Sequence, residues 1–422
     1  MPADWDHVIL LSADALRADH LSCYGYHRDT SPILDELATE SLRFTNAYSA
    51  SSHTREAVPA LLTGDYPDTA VGDDFRLATE TVASTLSAAG YATAGFHSNP
   101  FISRAYGFDR GFDTFDDDMQ FGSNKLLALA QRALDKLRNR HYARATEINE
   151  RSLDWLDSRG DEPLFLWNHY LDTHGPYEPP SGYATEYRTS TVSDREAQSL
   201  YRRAIRDPES ISEDERALLI DLYDAEIRYN DAKLGEMLAA LRDRGLLERS
   251  LLVFTSDHGD AFGEHGYYEH PRYLHEEITR VPLLVRPPGG VDGETVSTPV
   301  STLDIAATIR AGLDREVGEE RVSLLGELPA DRTVFVQARG EDEHSHLQRY
   351  AARGSDGSCF CERDRETDTV EFGECSGHEL REELDSHVAE RLRAETGTGE
   401  RRSDAEVDEE IERRLSALGY KE

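Results

Sequence analysis

Three short, mostly apolar runs constrain this chain more than anything else in it: His7-Val8-Ile9-Leu10-Leu11-Ser12, Leu164-Phe165-Leu166-Trp167-Asn168-His169-Tyr170 and Leu251-Leu252-Val253-Phe254-Thr255. Runs of this length without polar alternation fit strands of a sheet covered on both faces. Each breaks off into a polar cluster: Asp14 to His20 after the first, Asp172-Thr173-His174-Gly175 after the second, Ser256-Asp257-His258-Gly259-Asp260 after the third. Between them lie helical patterns over residues 31–40, 81–89 and 146–156, and a long one begun by Ser212 with Glu215 three residues on and ended by Gly245. Strand and helix alternate, so the expectation is a doubly wound α/β sheet with ligands at the strand C-terminal ends. Leu42-Arg43-Phe44 reads as an edge strand, residues 91–96 and 281–285 as further strands, and the charged stretch 183–208 as a surface excursion or lid.

The stretch from Ser51 to Gly64 carries several hydroxyls into a short apolar helix, with Thr54 as the expected N-cap and Gly64 as the stop. A helix begun there aims free N–H groups and the positive end of its dipole at whatever lies beside the hydroxyl, and an anion fits that place. An ordinary capped, buried helix leaves the same pattern.

The strand-end residues sort by chemistry. Asp14 is a candidate metal ligand, or an Asp that caps the next turn, and Arg17 with Asp19 reads as a supporting ion pair. Asp257 and His258 combine carboxylate oxygen with imidazole nitrogen, which suits Mn²⁺, Zn²⁺ or iron better than Ca²⁺. His174, in a turn and titrating near neutrality, is suited to protonating a leaving group. Asn99 sits at another strand end, where it donates to an oxyanion or simply closes an Asn-Pro turn. Arg55 serves to neutralise a substrate or is a surface helix charge. His169, inside its strand, is assigned to the core. Several of the histidines between Glu264 and Glu277 are expected only to fill space.

Charge bears on partners. The chain has 422 residues, with 82 acidic against 46 basic side chains, a net −36, and only four lysines. The charge is spread along the whole chain, an acidic solvated surface that disfavours nucleic acid and anionic membrane and resembles proteins of salt-accumulating halophiles. No apolar run reaches membrane-spanning length, and the reading is a soluble, cytoplasmic protein. Four cysteines (Cys23, Cys359, Cys361, Cys375) are too few for a disulfide framework and fit a reducing interior, and they lack zinc-site spacing.

Taken together, Ser12 to Leu21, Ala60-Leu61-Leu62-Thr63-Gly64-Asp65-Tyr66-Pro67, Asp172-Thr173-His174-Gly175-Pro176-Tyr177, Ser256-Asp257-His258-Gly259-Asp260 and Arg280-Val281-Pro282-Leu283 resemble the sulfatase and metal-dependent phosphoesterase branch of the alkaline phosphatase superfamily. The resemblance implies a three-layer α/β domain with a large, mostly parallel sheet over residues 1–328, and a smaller α+β domain with a four-stranded antiparallel sheet over 329–422. Within that second unit Val407, Ile411, Leu415 and Leu418 line a final amphipathic helix. In the family the nucleophile stands seven residues before Leu-Leu-Thr-Gly, which is Thr54 here; a rival register selects Ser51.

Threonine cannot become formylglycine, as the Cys or Ser of typical sulfatases does. A threonine nucleophile resembles instead the family's phosphodiesterases and phosphoalcohol transferases. Ala15 stands where sulfatases show a second aspartate, and His258 where they show asparagine. His270 and Asn99 stand nearest their sulfate-binding lysines. The resemblance thus implies one divalent metal, Mn²⁺ ahead of Zn²⁺ or Ca²⁺, held by Asp14, Thr54, Asp257 and His258, with His174 and Arg55 assisting and Asn99 and His270 on the substrate. The expected substrate is a small-molecule or glycan phosphate ester, a phosphodiester first, with a sulfate ester as runner-up. A non-catalytic binding paralogue is the alternative of another class.

Overall fold

A computed structural model describes residues 5–118, 142–318, 320–355 and 357–395. The final helix expected around Val407 to Leu418 lies outside the described residues. Setting aside two-residue ladders, the strands of the large sheet are β1 (His7–Ala13), β2 (Leu42–Phe44), β3 (Ala92–Phe96), β4 (Thr114–Asp116), β5 (Leu164–Tyr170), β6 (Ser250–Ser256), β7 (Leu283–Arg286) and β8 (Glu294–Val296). They pair in the order β8-β2-β7-β6-β1-β5-β3-β4. All contacts are parallel except those of β7, which runs antiparallel to β6 and β2.

The centre of the sheet is covered on both sides, as the unalternating apolar runs required. Along β1, Ile9 and Leu11 face one core while Val8 and Leu10 face the other. The first core is closed by α4 (Ala145–Asp157), α5 (Asp194–Arg206) and α6 (Glu213–Asp243). The second lies under α2 (Thr54–Thr63), α3 (Val82–Ala88) and α7 (Leu303–Gly312). Each large aliphatic side chain so buried contributes about 1.5–3 kcal/mol. The short α1 (Pro32–Ala38) starts at Ser31 and packs on α6.

Several expectations change. The segment 183–208 is not only loop: Ser193 caps α5 through a reciprocal bond with Glu196, and Ala197, Leu200, Tyr201 and Ala204 bury its inner face. A polar helix whose apolar stripe is this narrow escapes a reading by charge density. β2 is not at the edge, because β8 pairs on its outer side.

The C-terminal residues form a separate antiparallel sheet of β9 (Val334–Arg339), β10 (Leu347–Arg353), β11 (Ser358–Asp364) and β12 (Thr369–Cys375). Val334, Val336, Ala338 and Ala351 pack towards Tyr48 and Leu274. The other face is covered by Leu384 and Val388 of α8 (His378–Glu395). Cys359 and Cys375, directly opposed on β11 and β12, form a disulfide, while Cys23 and Cys361 do not. The cysteine count pointed to a reducing interior, and cross-strand register, invisible in the count, is what brings these two together. No helix among the described residues is long and apolar enough to cross a membrane.

Candidate active site

The ends of β1 and β6 are adjacent, with Ala13 paired to Ser256, so Asp14 and Asp257 emerge side by side. Asp14 continues the ladder by donating its N–H to the Tyr170 carbonyl. Ala15 then turns into the left-handed region, φ 55°, which costs a residue with a Cβ. That turn aims the Ala15 N–H at Asp257 Oδ1, 3.2 Å away, and the His258 N–H donates to the same oxygen at 2.9 Å. Gly259 follows because nothing larger fits: a Cβ there would fall 2.2 Å from the Glu277 carbonyl oxygen.

Helix α2 delivers the hydroxyl. His53, not Thr54, is its N-cap, accepting from the Arg55 N–H through Nδ1 at 3.1 Å. Thr54 is therefore the first helical residue, and its hydroxyl is released from capping. Thr54 Oγ1 lies 3.1 Å from His258 Nε2. Gly64 ends the helix in the left-handed conformation, as expected. The Ser51 hydroxyl donates to Glu56 Oε2 at 3.3 Å.

Four donor atoms converge here. His258 Nδ1 donates to the Gly259 carbonyl at 2.9 Å, which leaves the Nε2 lone pair pointing inward. Nε2 is 3.7 Å from Asp14 Oδ1 and 3.5 Å from Asp257 Oδ2. Both of those oxygens are buried and lack an aligned hydrogen-bond donor, an arrangement that is costly unless a cation satisfies them. With Thr54 Oγ1 they make a set of one nitrogen and three oxygens, which fits a divalent metal. Electrostatics agree. Burial acts to raise the Asp14 carboxyl, but His174, His169 and His258 outweigh it and hold Asp14 well below the usual range. Burial, then the Asp14 charge, raises Asp257.

His169 belongs to this site, against its assignment to the core. Its Nε2 meets Asp14 Oδ2 at 3.1 Å and its Nδ1 meets Ser12 Oγ at 2.9 Å. It is also one of the three residues, with Asp14 and Asp257, whose ligand atoms cluster tightly enough for a metal. The β1–β5 register, which sets His169 against Ser12, decides this, and strand pairing was not on the page of a single sequence. Asn99 donates to the same Asp14 oxygen at 2.5 Å while its own carbonyl accepts from the Phe101 N–H.

Around this centre stand more imidazoles. His174 donates from Nδ1 to the Gly175 carbonyl at 2.6 Å, and its ring centroid is 5.2 Å from that of His270. His270 lies 4.2 Å from the His258 ring and holds Asp260 Oδ1 at 2.8 Å. Burial, then the His258 and His174 charges, keeps His270 well below its ordinary pKa. Asp260, raised by burial to about 6, and His53, 5.4 Å from His270, were not among the expected site residues. Arg55 packs its guanidinium over Phe101 and Phe75 at 4.2 and 5.0 Å. The predicted Arg17–Asp19 pair forms at 2.7 Å and extends to Glu264.

A hydroxyl at a helix start, facing two carboxylates and an imidazole at the strand ends of a three-layer α/β domain, marks the class as the alkaline phosphatase superfamily of ester hydrolases. Within it, the family model described as Sulfatase matches residues 6–313, and the chain belongs to the sulfatase family. It is 25% identical to the uncharacterized sulfatase YidJ of Escherichia coli K12, over 74% of this chain and 68% of that one. It is 22% identical to the N-acetylglucosamine-6-O-sulfatase of Bacteroides thetaiotaomicron, over 83% and 77%. Among solved structures, the phosphonate monoester hydrolase of Agrobacterium radiobacter shares the fold with a TM-score of 0.68 at 18% identity, over 94% of each chain.

Proposed function

We propose that this protein hydrolyses or transfers phosphodiesters by way of a covalent Thr54 ester, with Asp14, Thr54, Asp257 and His258 holding one divalent cation, Mn²⁺ in first place. The observation that carries the reading is Thr54 Oγ1 beside His258 Nε2, which itself faces two buried carboxylate oxygens, Asp14 Oδ1 and Asp257 Oδ2. A cation there would lower the pKa of the Thr54 hydroxyl and offset the charge of the ester. The Thr54 oxygen attacks phosphorus, the bond to the leaving alcohol breaks, and His174 supplies the proton the alcohol takes up. Because His174 Nδ1 is committed to the Gly175 carbonyl, Nε2 is the nitrogen that transfers it. Water or an acceptor alcohol then attacks the threonyl ester. Asn99 and His169 keep Asp14 oriented, His270 faces the substrate oxygens, and Arg55 adds positive charge at the rim. Residues 1–328 would form the catalytic unit and 329–422 the appendage, in the cytoplasm.

Phosphodiester is preferred because threonine lacks the second hydroxyl by which formylglycine expels sulfate. Sulfate esters are the second reading, favoured by the sulfatase names of the relatives. The deciding experiment assays the Mn²⁺-loaded protein on aryl phosphodiester, phosphonate and sulfate panels and traps the adduct for peptide mass analysis. Turnover of phosphodiesters with phosphate on the Thr54 peptide is expected. Robust sulfate turnover with none on phosphodiesters would overturn the preference.

A further inference from the structure

The segment from Glu264 to Glu277 packs Tyr268 into the first core and carries His270 and Arg272 inward. Arg272 is 2% exposed and ion-pairs with Glu56 on α2 and with Glu341. Two of its residues, Glu269 and Arg272, adopt left-handed backbone without being glycine. Such a path persists only where the surrounding structure holds it, here by the Arg272 ion pairs and the His270–Asp260 bond.

At the neck of that segment the two ends meet. The rings of His265 and His275 stack with centroids 3.8 Å apart. Glu277 Oε1 lies 3.0 Å from His265 Nε2, yet it is buried and lacks an aligned hydrogen-bond donor. One ligand atom from each of His265, His275 and Glu277 falls within 4.8 Å of the others. For bonds of zinc length, tetrahedral ligand atoms stand about 3.4 Å apart; the His265–Glu277 pair, at 3.0 Å, is near that separation, and the stacked His275 ring has to tilt about its Nδ1 to turn Nε2 towards them. Tyr267 Oη bonds His275 Nδ1 at 2.6 Å, the kind of outer contact that orients a ligating imidazole through its other nitrogen. All three residues line a cavity of about 800 Å³ shared with the C-terminal sheet, which gives a hydrated cation access and leaves room for water as the fourth ligand. Two arginines line the cavity: Arg349 is neutralised by Glu362 at 2.9 Å, and Arg353, bonded to the Leu274 carbonyl and the Thr279 hydroxyl, faces Glu276 and Glu277.

We propose that His265, His275 and Glu277 form a second divalent-metal site, of the Zn²⁺ type, that clips the neck of the segment carrying His270 and Arg272. Two imidazoles and one carboxylate suit Zn²⁺ better than Mg²⁺ or Ca²⁺. Closing a loop with a metal limits the open conformations available to it. Gly259, one residue beyond His258, packs on the Glu277 backbone, so order at the neck reaches the catalytic cluster by direct contact. The proposal is independent of the reaction assigned above, although the expected count of two equivalents includes the cation proposed there.

Its test needs no activity. Metal-stripped protein is titrated with Zn²⁺ by calorimetry, in wild type, Asp257→Asn, His275→Ala and His265→Ala/His275→Ala, and hydrogen exchange is followed in the 264–277 peptides. The expected result is two equivalents in wild type and one in each single variant, with Zn²⁺ slowing exchange of those peptides in wild type and Asp257→Asn but not in His275→Ala. The site is refuted if the double variant binds as much Zn²⁺ as wild type, or if Zn²⁺ leaves the exchange of 264–277 unchanged in Asp257→Asn. A single equivalent that vanishes only in Asp257→Asn also refutes it, while leaving the catalytic metal intact.

Discussion

Thr54 Oγ1 and His258 Nε2, 204 residues apart in sequence, stand 3.1 Å apart in the fold. One comes from the first turn of a helix and the other from the residue pair that ends β6. That contact is the reason Thr54 is the proposed nucleophile among the hydroxyls of its stretch. Thr54→Ala is expected to lower kcat/KM by at least about a thousandfold, as loss of a covalent nucleophile does, with unchanged circular dichroism. Ser51→Ala, which removes only the bond to Glu56, is expected to stay within a few-fold of wild type. The reverse order would return the nucleophile to Ser51.

His169 acts through Asp14. Because its imidazole holds the Asp14 oxygen that faces away from His258, His169→Ala frees the carboxylate to rotate. Partners of a ligand typically contribute 10–100-fold to metal affinity, so Mn²⁺ titration of this variant is expected to show a loss of about that size. An unchanged affinity would return His169 to the core.

A buried triad next to the His174 turn leads to an expected pH dependence of stability. Arg144 ion-pairs with both Asp172 and Glu226, whose side chains are fully buried. Two carboxyls share one cation, and burial lifts Glu226 to about 8, Asp172 adding to the rise against the pull of Arg144. A carboxyl raised on folding binds its proton more tightly in the folded state. Stability therefore falls as pH rises from about 4.5 to about 8, by up to about 1.4 kcal/mol per unit. Urea unfolding at pH 5, 6.5 and 8 is expected to show this slope in wild type and a shallower one in Glu226→Gln. Parallel slopes would exclude Glu226 as the source.

The net charge of −36 implies self-repulsion that salt screens. Thermal unfolding in 0.1 M and 2 M KCl is expected to show a higher Tm in the concentrated salt, each kcal/mol gained being worth about 2–4 °C in a domain of this order. A Tm that is flat or falls with salt would remove the halophile reading.

Much of the architecture was legible because buried strands and capped helices leave local marks. The runs that became β1, β5 and β6, the Ser212–Glu215 capping box and the glycine stops at 64 and 245 all depend on neighbours within a few residues. Helix α5 was missed because its short apolar stripe is drowned by charge, and the order of β2 and β8 because edge position belongs to the sheet.

The chemistry of the site was set by the chain alone. Asp14, His174, Asp257 and His258 stand at strand ends, and strand ends are where an α/β fold gathers polar groups whatever its details. Which of those groups touch was decided only by the tertiary structure. The register of β1 against β5 turned His169 onto Asp14, the paired ends of β1 and β6 left two carboxylate oxygens facing one imidazole, and the return of residues 264–277 put His270 on Asp260. Local sequence carries periodicity and caps, which act over a few residues; contacts across hundreds of residues exist only once the sheet has fixed which strand lies beside which.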